Sequence, residues 1–123
     1  MKPSKVFLSG CVTTGLNARK GGWELFDAAE RSVRELWPEA EVFNPIREVP
    51  FEASHELAML LCLSELTNCW DMDGGRIAGS AYDLMVQLPS WQTSKGARLE
   101  AEVAEAIGVP CVALKDLKGA TWA

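Results

Sequence analysis

The chain has a single histidine, and its four cysteines, Cys11, Cys62, Cys69 and Cys111, include no Cys-x-x-Cys pair. Structural zinc needs closely spaced thiolate and imidazole donors, so no metal site is expected and the thiols are read as reduced and mostly buried. Lys and Arg are scattered and the net charge is -5. Without a basic stripe the chain is not expected to track the phosphates of a nucleic-acid polymer, and any nucleotide partner should be small. No apolar run is long enough to span a bilayer, and Met1-Lys2-Pro3-Ser4 leads directly into a strand, so neither a signal peptide nor membrane contact is expected. The expected location is the cytoplasm. Asp71-x-Asp73-Gly74-Gly75 opens like a calcium loop but lacks the remaining ligands of one.

What the chain does have is apolar residues, 48% of its 123 positions. That is enough for one sizeable core and too little chain for two ordinary domains, so residues 1–123 are read as a single domain. Lys5 to Ser9 reads as a strand, with Val6-Phe7-Leu8 at its centre. It runs into Gly10-Cys11-Val12-Thr13-Thr14-Gly15, a loop of small and hydroxyl residues whose backbone N–H groups can approach a ligand closely. Phe26, Ala29, Val33 and Leu36 recur at helical spacing between Trp23 and Trp37, and Pro38 closes that helix. Ala40 to Phe43 reads as a second strand and Asn44 to Phe51 as a loop. Ser54 caps a helix to about Asn68 that is apolar on every side, a pattern that asks for a neighbouring subunit. Trp70 to Ser80 reads as a loop, Ala81 to Leu88 as a buried strand, and Val109 to Leu114 as the last one.

Between those last two strands lies the most informative stretch. Pro89 ends the strand, Thr93 or Ser94 can cap a helix, and the helix runs to about Ile107, with Gly108 and Pro110 as stops. At about 100° per residue, Lys95, Arg98, Glu102 and Glu105 form the wet stripe of that helix. Glu100 falls opposite, among Gly96, Val103, Ala104 and Ile107. A carboxylate on an apolar face must be hydrogen-bonded, paired or protonated, and such groups are enriched at functional sites.

Alternating strands and helices imply a parallel sheet covered on both faces: an α/β, flavodoxin-like or Rossmann-like three-layer sandwich of four to five strands, in the order 2-1-3-4. In that order the winding reverses between the first and third strands, and ligands bind beyond their carboxyl ends. Topology thus gathers Glu100, the hydroxyls of Thr13, Thr14, Thr93 and Ser94, and Trp91 around one crevice. The helix start at Ser94, Lys95 and Gly96 suits a phosphate, Gly96-Ala97 leaves room for a ligand, and Glu100 lies one turn further in. This separation suits a nucleotide whose anomeric carbon meets the carboxylate and whose base meets Trp91, chemistry that a carboxylate nucleophile performs.

Val6-Phe7-Leu8-Ser9-Gly10, Asn44-Pro45, Met59-x-x-Cys62-Leu63, Leu88-Pro89-x-Trp91-x-x-Ser94-x-Gly96-Ala97-x-x-Glu100 and Ala104-x-x-x-Gly108 together resemble the nucleoside 2-deoxyribosyltransferase-like superfamily, in particular its often phage-encoded branch. The superfamily includes nucleoside deoxyribosyltransferases and deoxynucleoside 5'-monophosphate N-glycosidases. The resemblance implies that Glu100 attacks the deoxyribose anomeric carbon, that Ser94 and Gly96 hold the 5'-phosphate, and that the loop from Gly10 lines the sugar and phosphate; Ser9, Thr13, Trp91 and Ala97 are the further substrate-binding candidates. It implies cleavage or exchange of the N-glycosidic bond of a (deoxy)nucleoside 5'-monophosphate; no cofactor is expected, and the apolar helix after Ser54 points to a homo-oligomer. Phe7 stands where characterised members often have a tyrosine that hydrogen-bonds the nucleophile, and Cys62 where they have an acid. Tyr82, Asp83 or a residue of a neighbouring subunit are the candidates to compensate, Asp83 as the second catalytic carboxylate. The alternative is a binding protein that has lost turnover and sequesters a nucleotide or a nucleotide-derived signal.

Overall fold

The structure, a computed structural model, describes residues 3–10, 22–50, 52–67, 69–71, 77–80, 82–89 and 91–119. In chain order these form β1 (Lys5–Ser9), α1 (Gly22–Leu36), β2 (Glu41–Phe43), α2 (Pro45–Glu48), α3 (His55–Leu66), β3 (Cys69–Asp71), β4 (Ile77–Ser80), β5 (Leu84–Gln87), α4 (Lys95–Ala106) and β6 (Cys111–Ala113). Among the described residues, short 3-10 turns also lie at Trp91–Thr93 and Leu114–Gly119.

The main sheet has the order β2-β1-β5-β6, and all of its pairings are parallel. Counted within that sheet, this is the expected 2-1-3-4 order of a flavodoxin-like α/β fold. The pleat then decides what each face meets, because successive side chains of a strand point to opposite sides. Val6, Leu8, Val42, Leu84 and Val86 join Phe26, Ala29 and Val33 of α1, with Leu117 of the final 3-10 turn, in one core. Phe7 and Met85 go the other way, onto Ala58, Cys62 and Leu66 of α3 and Ala104 of α4. Ser9 shares the parity of Phe7, so its hydroxyl is delivered to the α3 and α4 side.

Two segments read as loops contain regular structure. Asn44 caps α2, its Oδ1 accepting from Ile46 N at 3.1 Å, and Pro45 fits the first helical turn, where its missing N–H costs nothing. One turn is too short to show a helical period. The fully buried Asn44 also donates from Nδ2 to Asp27 and to Glu30, and Arg47 donates to Glu30 at 2.6 Å and to the Val42 carbonyl at 2.9 Å. Partial burial opposes the charge of Glu30, but the hydrogen bonds from Arg34, Asn44 and Arg47 outweigh it and hold its carboxyl below the usual range. The carboxyl end of β2 is thereby locked to α1. The second segment is Trp70 to Ser80, where β3 and β4 form a separate antiparallel pair.

The final helix follows its sequence signals. Ser94 is the N-cap of α4, its Oγ accepting from Ala97 N at 3.2 Å. Gly108 ends the helix with φ +81°, a conformation that L side chains rarely adopt, while Val109 N closes onto the Ala104 carbonyl at 2.8 Å. Gly96, Ala97, Glu100 and Ala104 are buried; Lys95, Arg98, Glu102 and Glu105 are exposed. Ile107, placed on the inner face by the wheel, is 39% exposed because it lies at the C-cap, where the helix ends.

Candidate functional site

The winding of the sheet reverses between β1 and β5, and Ser9 lies at the carboxyl end of β1. There Ser9 Oγ donates to Glu100 Oε1 at 2.7 Å, a buried hydrogen bond between groups 1% and 6% exposed. Burial pushes the Glu100 carboxyl up to about 7, against the opposing pull of the Ser9 hydroxyl. Such a group exchanges its proton near neutral pH, the range in which acid, base and nucleophilic carboxylates work.

The cavity against Glu100 is lined by Gly10, Ser94, Gly96 and Ala97, and on its other side by His55, Ala58, Met59 and Cys62. Gly10 has a packing reason as well: a Cβ there would come within 2.9 Å of Leu88 Cβ and 3.2 Å of the Phe26 ring. Ser94, Gly96 and Ala97 bring the N-terminal turn of α4 to the cavity, and His55 brings that of α3, which Ser54 caps. First-turn N–H groups lack intrahelical acceptors and carry the positive end of the helix dipole, so the cavity is bordered by two anion-friendly helix ends.

His55 was not legible as a site residue, and only the family resemblance pointed to Met59 and Cys62, because α3 is apolar around most of its circumference. The structure sets its phase. Ala58, Cys62 and Leu66 face inward at four-residue spacing, while Leu57, Leu60 and Leu61 are 43%, 66% and 38% exposed. Cys62, with a thiol that burial and then the Glu100 charge push up to about 12, stays protonated beside the carboxylate.

Three expected members do not join this cavity. Asp83 is exposed and accepts from Ser4 N at 2.7 Å and Lys5 N at 3.1 Å, which ties it to the start of β1, the end of the sheet opposite Glu100. It fixes the first strand and cannot reach the chemistry of Glu100. Tyr82 lies at that end too: its hydroxyl donates to Glu65 at 2.6 Å, and its ring meets Phe7 edge-on at 5.5 Å. Trp91 sits in the 3-10 turn after Pro89, which carries it to a separate groove of about 580 Å³ between α4 and β6, with Gln87, Ala101, Glu105 and Cys111. Thr93 is exposed, and Thr13 and Thr14 lie outside the described residues. No group of three or more His, Cys, Asp and Glu able to hold a metal occurs among the described residues, and no described helix is long and apolar enough to cross a membrane.

A family described as a domain of unknown function (DUF4406) matches residues 75–113, the stretch that holds β4, β5, α4 and β6 and therefore Ser94 and Glu100. No curated protein and no solved structure matches the chain.

Proposed function

We propose that the protein is an N-glycosidase or glycosyl transferase acting on a (deoxy)nucleoside 5'-monophosphate, with Glu100 as the nucleophile. The observation that carries this reading is the buried Glu100 carboxylate, held by Ser9 and set one turn inside a helix whose capped N-terminus borders the same cavity. Phosphate would bind the free N–H groups at the start of α4. Four residues along the helix, about 6 Å, separate them from Glu100, so the sugar rather than the phosphate meets the carboxylate. In the reaction a Glu100 oxygen bonds to the anomeric carbon while the bond to the base nitrogen breaks. The electron pair leaves with the base, which takes a proton from water. A water molecule then cleaves the glycosyl ester, or a second base captures the sugar. No cofactor takes part. The sequence resemblance to nucleoside 2-deoxyribosyltransferase-like proteins supports the same chemistry, and we place the protein in the cytoplasm, where such substrates and free thiols coexist.

A specific observation favours a second reading, a binding protein without turnover. Phe7 has no hydroxyl to offer Glu100, its ring stacking on Phe43 at 4.9 Å, and the Tyr82 hydroxyl is engaged by Glu65. Incubating the protein with a panel of deoxynucleoside 5'-monophosphates and following free base by chromatography separates the two. Base release supports the glycosidase; tight binding with no release supports the binder; neither binding nor release overturns both.

The exposed Leu57, Leu60 and Leu61 stripe supports a further part of the proposal, assembly as a homo-oligomer through α3.

A further inference from the structure

The cavity against Glu100 measures about 30 Å³, room for one or two waters and an order of magnitude below the roughly 300 Å³ at which ligand pockets begin. The side chain that fills the missing space is Met59. A Cβ on Gly96 would come within 2.6 Å of Met59 Sδ and 3.5 Å of its Cε, so the thioether rests directly on the first turn of α4, beside the Ser94 cap. That is the surface on which the expected ligand lies. In this structure the glycine at 96 makes room for a methionine. Met59 is half-buried and unbranched, with three rotatable side-chain bonds, so it can leave and return without moving the backbone. A rigid, branched residue there would close the cavity permanently.

We propose that Met59 is the gate of the Glu100 cavity: its thioether occupies the substrate's place over Gly96 and swings out to admit a nucleotide. The inference rests on the proposed function for the identity of the guest, but the gate itself can be tested without one. Cys62 lines the same cavity and is 5% exposed, so its modification by a small reagent reports opening. The folded protein is treated with methyl methanethiosulfonate at fixed pH, and the rate at Cys62 is read by peptide mass spectrometry across urea concentrations below the unfolding transition. A local gate gives a urea-independent rate at low urea, whereas global unfolding gives a rate that climbs with urea throughout. Met59→Ala should raise the urea-independent rate at least tenfold.

A wild-type rate that climbs with urea from zero upward overturns the gate, and that measurement does not require Met59→Ala to fold. A folded Met59→Ala that labels no faster also overturns it. Adding a deoxynucleoside 5'-monophosphate should slow the labelling several-fold. An open, urea-independent gate that no monophosphate slows supports the gate and overturns the nucleotide reading instead.

Discussion

Ser9 Oγ and Glu100 Oε1, 2.7 Å apart, form the one polar contact described between the central strand and the buried carboxylate. The hydroxyl stabilises the ionised form, so Ser9→Ala should push the Glu100 pKa above its already raised value of about 7. Carbon-13 NMR titration of the Glu100 carboxyl reads this directly. The acid limb of any base-release profile should move to higher pH with it. A Glu100 titration unchanged by the mutation would mean that the contact does not persist in solution.

Glu100 also sets a pH dependence of stability. Its folded pKa of about 7 lies above the ordinary value of 4.5, so its contribution is fully present below about pH 4.5 and is lost as pH rises through 7. At about 1.4 kcal/mol per unit the loss is on the order of 3 kcal/mol between pH 4.5 and 8. Glu100→Gln should flatten that part of the curve. Urea unfolding of both proteins across this range tests it, and parallel curves would refute it.

Glu100→Gln keeps the shape of the side chain and an oxygen to accept from Ser9, but has no nucleophile. Nucleotide binding should survive, and base release should fall by several orders of magnitude. Release that continues unchanged would remove Glu100 from the mechanism.

Ser94 separates capping from phosphate binding. Ser94→Asp preserves a cap but adds a like charge beside the phosphate, so affinity for a 5'-monophosphate should drop while the melting temperature holds. Ser94→Ala should instead cost about 1 kcal/mol of stability. Calorimetry with a nucleoside and its monophosphate completes the test. Equal affinity of the wild-type protein for the two would exclude a phosphate site.

The α3 stripe predicts an oligomer that Leu60→Glu dissociates, because Leu60 is 66% exposed and burying a leucine contributes roughly 1.5 to 3 kcal/mol. Light scattering at micromolar concentration should show the mass fall. A monomeric wild-type protein would end the argument.

The sequence was most legible where a local rule coincided with the tertiary one. Lys5–Ser9 is a strand over the full span expected, and the helical wheel placed Glu100 inward because α4 has a clear wet stripe. Strand β5 is shorter than the apolar run around it: its paired register ends at Gln87, although Leu88 N still donates to the Ser9 carbonyl at 2.8 Å. The hairpin of β3 and β4 hides in a stretch of Asp and Gly that reads as a turn whatever flanks it. Trp91 was misplaced because the 3-10 turn after Pro89 decides its direction, and no periodicity reports on a single turn. Asp83 could have been excluded: at the amino end of a strand in a parallel sheet it lies away from the crevice, which forms beyond the carboxyl ends.

The parallel order has a consequence for the birth of the molecule. Lys5 and Asp83 are 78 residues apart in the chain, and Ser9 and Glu100 are 91 apart. β1 thus has its central partner only after most of the polypeptide has been made, and pairings of that range close slowly because their loop entropy must be lost first. A chain leaving the ribosome carries Ser9 early and Glu100 late, so the carboxylate gains its hydroxyl only once the sheet has closed around β1.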